Sequence, residues 1–124
     1  LMSKLPMIAR LLLGLIFFVF GLNGFLNFLP APPMPEAAGA FAGALAATGY
    51  MFPLIKGIEV LVGLLLLSNK FVPLALLLLA PITVNIVLFH AVLAPAGLVL
   101  PIIIVLLHVY LASTHKAVYK PLFN

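Results

Sequence analysis

Four long apolar stretches constrain the fold of this chain more than any other feature of its sequence. They cover approximately residues 5–29, 50–67, 71–91 and 96–112. Each is close to the roughly 20 residues that an α-helix needs to cross about 30 Å of hydrocarbon. Their Leu-rich runs lack the alternation of barrel strands, so helices are the expected way to satisfy the backbone in lipid. The sequence predicts an all-α, antiparallel transmembrane four-helix bundle, with residues 1–124 as a single domain.

The composition excludes an ordinary water-soluble globule. Apolar residues make up 66% of the chain and charged residues only 6%, whereas about a quarter of an average soluble domain is charged. The lipid bilayer is therefore the first expected partner. The net charge of +4 does not indicate nucleic-acid binding, because the six Lys and Arg residues form no basic stripe. Cys is absent, which excludes disulfides, thiolate metal sites and iron–sulfur clusters.

The links between the stretches indicate how the spans are connected. Residues 68–70 form a short polar turn and residues 94–97 a short breaker, and short links imply antiparallel neighbours. The first link is longer and begins with four prolines within residues 30–35. It continues into an Ala-rich segment, Glu36 to Ala47. We expect a rigid elbow there, followed by a short interfacial or re-entrant helix between spans one and two.

The basic residues predict the orientation of the spans. Five of them lie at the N-terminal end of span one, between spans two and three, or after span four: Lys4, Arg10, Lys70, Lys116 and Lys120. The other two links contain no Lys or Arg. By the positive-inside rule, both termini should face the cytoplasm. Span one is too long for a cleaved secretory signal, and we expect a retained anchor.

Two ionisable residues, Lys56 and Glu59, lie inside span two. A charge near the centre of a span costs roughly 2.5–3.5 kcal/mol unless it is paired or hydrated, and i, i+3 spacing places the two residues on one helical face. Counting about 1.5 Å per residue from the outer ends of the spans puts Asn23, Asn27 and Asn85 at a similar depth. We predict one polar cluster in the outer leaflet, serving either as a ligand or proton site or as a hydrogen-bonded fastening of the bundle.

The three histidines do not indicate haem or a metal ion. Axial haem ligands need matched depths, but His90 lies at the outer end of span three, His108 deep within span four, and His115 near the cytoplasmic end. His108 and His115 are roughly 10 Å apart along the helix axis, too far to share one ion. We therefore predict no metal site, and we interpret His108 as a packed polar residue.

Several motifs, in their order along the four stretches, together resemble the DoxX/DoxD-like integral membrane proteins. The motifs are Arg10 with Gly14 and Gly21, the elbow leading to Thr48 and Gly49, Glu59 with Gly63, and the run Lys70-Phe71-Val72-Pro73-Leu74-Ala75. The resemblance implies a four-helix protein of the bacterial inner membrane. Its relatives are linked to respiratory quinone chemistry, thiosulfate oxidation or oxidative-stress complexes. We expect no resident cofactor, with a quinone as the one alternative that the resemblance leaves open.

We considered three functions for such a chain. The leading hypothesis is a non-catalytic accessory or binding subunit that recognises a lipid, a quinone-like molecule or a partner helix through the outer-leaflet cluster. The alternatives are a small proton-coupled transporter and the membrane subunit of a quinone-linked oxidoreductase. The sequence contains no hydrolytic triad, Walker loop or dinucleotide fingerprint, and we assign no catalytic residue. The small residues Gly14, Gly21 and Gly63 could pack within one bundle or between protomers of a homo-oligomer.

Overall fold

The structure, a computed structural model, describes residues 2–30 and 33–124, and the regular elements of this part are all helical. The long helices are α1 (Leu5–Leu26), α2 (Glu36–Ala47), α3 (Met51–Ser68), α4 (Val72–Leu88) and α5 (Val99–Ser113), followed by the short α6 (Lys116–Tyr119). A π-helical turn, Phe89–Leu93, extends α4. Single 3-10 turns complete the described elements at Met2–Lys4, Pro95–Gly97 and Lys120–Phe123. The all-α prediction is confirmed.

Three of the helices are long and apolar enough to cross a membrane by themselves. They are Leu5–Leu26, Met51–Ser68 and Val72–Leu93, the last consisting of α4 and its π-turn. The fourth predicted span, α5, has 15 residues. It passes the same test only together with Lys116–Phe123, from which it is bent by 75°. The fold therefore has four spans when this bent pair is counted as one, as the sequence predicts.

The four spanning helices close into a ring. Helix α1 contacts α3 and α5, and α4 contacts the same two helices from the other side. Helix α2 lies outside the ring and contacts α3 and the π-turn. We call the end of the bundle that carries α2 the α2 end, and the opposite end, which carries both chain termini, the terminal end. The predicted helix between spans one and two is confirmed, while its interfacial position stays a prediction.

Glycines bring α1 and α3 into the most extensive helix–helix contact of the fold. A Cβ atom added to Gly63 would lie 2.6 Å from the backbone nitrogen of Phe18, and one added to Gly21 would lie 2.8 Å from that of Val60. Such distances leave no room for any side chain. The structure therefore uses Gly14, Gly21 and Gly63 for packing within one bundle, which answers the question that the sequence left open.

The best-packed part of the core fills the terminal half of the bundle. Its buried side chains are Leu13, Phe17, Val62, Leu66, Val72, Ala75, Leu76, Leu79, Ile104 and Leu111. Arg10 strengthens this half, because its guanidinium donates to the carbonyl oxygens of Leu66 and Leu67 in the last turn of α3. A cation at that position also interacts favourably with the helix dipole. The α2 half of the bundle is packed less completely.

Helix ends differ from the predicted span limits for local reasons. The predicted span one continues to residue 29, but α1 ends at Leu26 because Asn27 adopts a left-handed conformation with φ of 52°. The polar turn after α3 is confirmed, with Asn69 also left-handed at φ of 58°. Span four begins at Val99, three residues later than predicted, because Pro95–Gly97 form a separate 3-10 turn. The predicted elbow includes residues 31 and 32, which lie outside the described residues.

Candidate ligand-binding site

The loosely packed α2 half contains a cavity of about 380 Å³. It lies between α2, α3 and α4 with its π-turn. The lining residues are Phe41, Ala42, Leu45, Met51, Phe52, Ile55, Lys56, Glu59, Pro81, Ile82, Asn85, Ile86, Phe89 and His90. Most of these side chains are apolar, and the polar ones are few. This composition is typical of sites that bind small molecules with an apolar body.

Lys56 and Glu59 form an ion pair on one wall of this cavity. The Nζ atom of Lys56 lies 3.2 Å from Oε1 of Glu59. Glu59 is only 5% exposed, so it faces the interior of the bundle. The stem of Lys56 lies against Gly24 of α1, and its ammonium group lies 5.5 Å from the centre of the Phe52 ring. The pair is therefore turned toward the other helices.

Helix α4 supplies Asn85 to the same cavity, one helical turn from Pro81. Both residues are exposed as well as cavity-lining. The cavity therefore opens at α4 toward the surroundings of the bundle. A molecule could enter from that side with its apolar part still in contact with lipid. Pro81 lies inside α4 without ending the helix.

The structure separates the two α1 asparagines from the cavity, which corrects the predicted five-residue cluster. Asn23 accepts a hydrogen bond at Oδ1 from the backbone N–H of Leu29, at 2.7 Å. Asn27 is exposed and caps the end of α1. The Asn23 side chain and the left-handed backbone of Asn27 thus serve the helix end, where Asn commonly occurs. The cavity brings together Lys56, Glu59 and Asn85, and α1 contributes Gly24 through its contact with Lys56.

His90 is a cavity residue that the sequence analysis did not assign to the site. Its Nδ1–H donates to the carbonyl oxygen of Ile86 at 2.8 Å, which leaves Nε2 as an acceptor in the neutral ring. The Phe89 ring lies edge-on to it at 5.0 Å and also packs 5.7 Å from Phe41 of α2. The π-turn sets these directions, because it rotates residues 89–93 out of the α-helical register. No periodicity in the sequence indicates that turn.

His108 lies outside this site and joins α4 to α5. Its Nε2–H donates to the carbonyl oxygen of Leu76 at 3.0 Å, and its Nδ1 accepts from the Thr83 hydroxyl at 2.9 Å. His108 is a buried, packed polar residue, as interpreted from the sequence. Within residues 2–30 and 33–124, no group of three His, Asp or Glu side chains could hold a metal ion.

The fold and the cavity define a class: small, multi-pass α-helical membrane proteins with a laterally open, largely apolar cavity. The profile of the DoxX family matches residues 5–92, which include every residue that lines the cavity. This chain belongs to the DoxX family. Helix α5 and the C-terminal segment lie beyond the matched residues. No curated protein and no solved structure matches the chain.

Proposed function

We propose that this membrane protein is a non-catalytic accessory or binding subunit that holds a small amphipathic molecule, lipid-like or quinone-like, in the cavity between α2, α3 and α4. One observation carries the proposal: the Lys56–Glu59 ion pair faces a cavity whose other walls are mostly apolar. An ion pair that only fastened helices would be expected between two helices. This pair lies within α3 and is open to the cavity.

The polar groups of the cavity favour a ligand with a neutral head group. Lys56 has three N–H donors, of which one is directed at Glu59, and the pair as a whole is electrically neutral. Asn85 can donate and accept, and Nε2 of His90 can accept. A carbonyl or hydroxyl head group satisfies these partners without bringing a net charge. The volume of about 380 Å³ lies within the usual range for small-molecule sites, about 300–1,000 Å³.

The proposal includes an orientation in the bacterial inner membrane. Five of the six basic residues lie at the terminal end, and Lys56 is the exception. The positive-inside rule then places both termini in the cytoplasm and the cavity in the outer leaflet. Because the chain has no native Cys, a single introduced cysteine is the sole thiol that can be labelled. Its labelling shows which side of the membrane that residue faces. A membrane-impermeant maleimide applied to intact cells should label Ala96→Cys and spare Asn124→Cys; the reverse pattern would refute the orientation.

Photolabelling tests where a ligand binds. We expect a long-chain alcohol that carries a diazirine to label peptides of α2, α3 and α4 that line the cavity, in preference to the lipid-facing surface. Ala42→Phe should reduce this labelling several-fold, because residue 42 lines the cavity and a benzyl group there would occupy it. The control is Ala40→Phe on the same helix, at an exposed position outside the cavity. Labels spread evenly over the bundle, or equal labelling of both variants, would contradict the proposal.

The proton-coupled transporter and the oxidoreductase subunit stay hypotheses. A transporter would require Glu59 to exchange protons with both sides of the membrane. An oxidoreductase would require an electron carrier, and the sequence and cavity favour no particular one. The binding subunit needs neither, which is why we prefer it.

A further inference from the structure

A second apolar groove, of about 260 Å³, lies at the terminal end of the bundle. Its walls come from α4, α5 and the C-terminal segment 116–123. The residues that define it are Leu76, Leu77, Ala80, Ala112, Leu122 and Phe123. The groove is separate from the cavity described above, with which it shares no lining residue.

The side chains that line the groove offer no free hydrogen-bond donor to a ligand. His108 lines it, but both of its ring nitrogens are engaged, by Leu76 and Thr83. Tyr119 also lines it, and its hydroxyl donates to the carbonyl oxygen of Pro73 at 2.7 Å. A polar ligand that entered the groove would lose its hydrogen bonds to water without gaining replacements. The groove is therefore suited to a hydrocarbon chain.

Positive charge lies beside the groove. The C-terminal segment turns away from α5 by 75° and is held to α4 by the Tyr119–Pro73 hydrogen bond. Lys116 and Lys120 are exposed and one helical turn apart. Lys116 precedes Tyr119 by three residues in α6, and Lys120 follows Tyr119 directly; Tyr119 itself lines the groove. Two lysines therefore lie within three positions in the chain of a residue that lines a hydrocarbon site.

We propose that this groove binds one anionic phospholipid, with an acyl chain in the groove and the phosphate at Lys116 and Lys120. The mixed basic and apolar composition of the segment supports this occupant. Besides its two lysines it presents Val118, Leu122 and Phe123, which are 57%, 62% and 87% exposed. Basic and apolar residues together are typical of helices that lie in the interface of an anionic leaflet. The proposal does not depend on what binds in the cavity at the α2 end.

Native mass spectrometry tests whether the bound lipid must carry a negative charge. The full chain is titrated with phosphatidylglycerol or with phosphatidylcholine of the same acyl chains. We expect the wild type to bind the first phosphatidylglycerol about tenfold more tightly than phosphatidylcholine, which corresponds to about 1.4 kcal/mol. The reason is that phosphatidylglycerol brings a net negative charge to the two lysines, whereas the choline of phosphatidylcholine offsets the charge of its phosphate. Lys116→Gln/Lys120→Gln should lose this preference. The matched control, Lys4→Gln/Lys70→Gln, removes the same charge from the same end and should keep it.

A second set of variants tests the groove. Ala80→Leu should weaken binding of both lipids without changing charge, because the added side chain occupies the groove. Leu122→Gln should do the same by making its wall polar, and it provides an independent reading if Ala80→Leu does not fold. Equal binding of the two lipids by the wild type, or equal losses in the two lysine pairs, would overturn the proposal. So would unchanged phosphatidylglycerol binding in both groove variants.

Discussion

Replacing Gly63 with Leu should prevent α1 and α3 from packing together. Even a single Cβ at this position would lie 2.6 Å from the backbone nitrogen of Phe18, and the obstacle is backbone that cannot rotate away. Overpacking a well-packed core typically costs about 1–3 kcal/mol, and occasionally more. We expect at least about 3 kcal/mol here, because two helix backbones would have to separate. Thermal unfolding in detergent, followed by circular dichroism and by size-exclusion chromatography, measures the loss.

Gly57 provides the matched control for this experiment. It lies in the same helix, α3, but a Cβ added there would meet no atom of another helix within 4 Å. Gly57→Leu should therefore leave the unfolding temperature unchanged or raise it slightly, since Leu has the higher helix propensity. Equal destabilisation by the two substitutions would mean that glycine is needed for a reason other than the α1–α3 contact.

Replacing only one member of the Lys56–Glu59 pair should also lower the free energy of unfolding strongly. Lys56→Leu leaves the carboxylate of Glu59, which is 5% exposed, without its partner. Removing one member of a buried ion pair typically costs about 3–5 kcal/mol, because an uncompensated charge stays buried. We expect a loss toward the lower end of that range, about 3 kcal/mol, since the Lys56 side chain is 21% exposed.

The double variant Lys56→Leu/Glu59→Leu should recover most of this stability. Replacing both members of a buried pair by apolar residues is often neutral or stabilising. The control for the loss of an acidic residue is Glu36→Leu, because Glu36 is the other acidic residue of the chain and is exposed at the start of α2. If the double variant were as unstable as Lys56→Leu, the pair would be a fastening of the bundle rather than a group retained for a ligand.

The sequence predicted those parts of the fold that depend on the length of an apolar stretch and on the turn-forming residues that end it. The stretches of about 20 apolar residues gave the correct spans, and the start of α2 at Glu36 follows directly after the proline-rich link. The inward direction of the ion pair was also predictable, because two charges on the lipid face of one helix would be too costly. Each of these features can be inferred from a single stretch of sequence, without knowing how it packs against the others.

Features that depend on how segments meet could not be predicted in this way. Asn23 and Asn27 have the right depth for the polar cluster, but the turn after α1 uses them to end the helix. His90 joins the cavity because a π-turn changes its direction. Arg10 reads as a topology signal in the sequence, whereas in the fold it also binds the carbonyl end of α3. None of these outcomes follows from hydrophobic periodicity.

The central claim is that the Lys56–Glu59 pair on α3 recognises a small molecule. The most direct test is to identify the small molecules that copurify with the protein when both members of the pair are replaced. Wild type, Glu36→Leu and Lys56→Leu/Glu59→Leu would be extracted in the same mild detergent, and their retained small molecules would be identified by mass spectrometry. We predict one amphipathic species near stoichiometric amount in the wild type and in Glu36→Leu, reduced at least tenfold in the double variant. The same retained molecules in the same amounts in all three proteins would contradict the account.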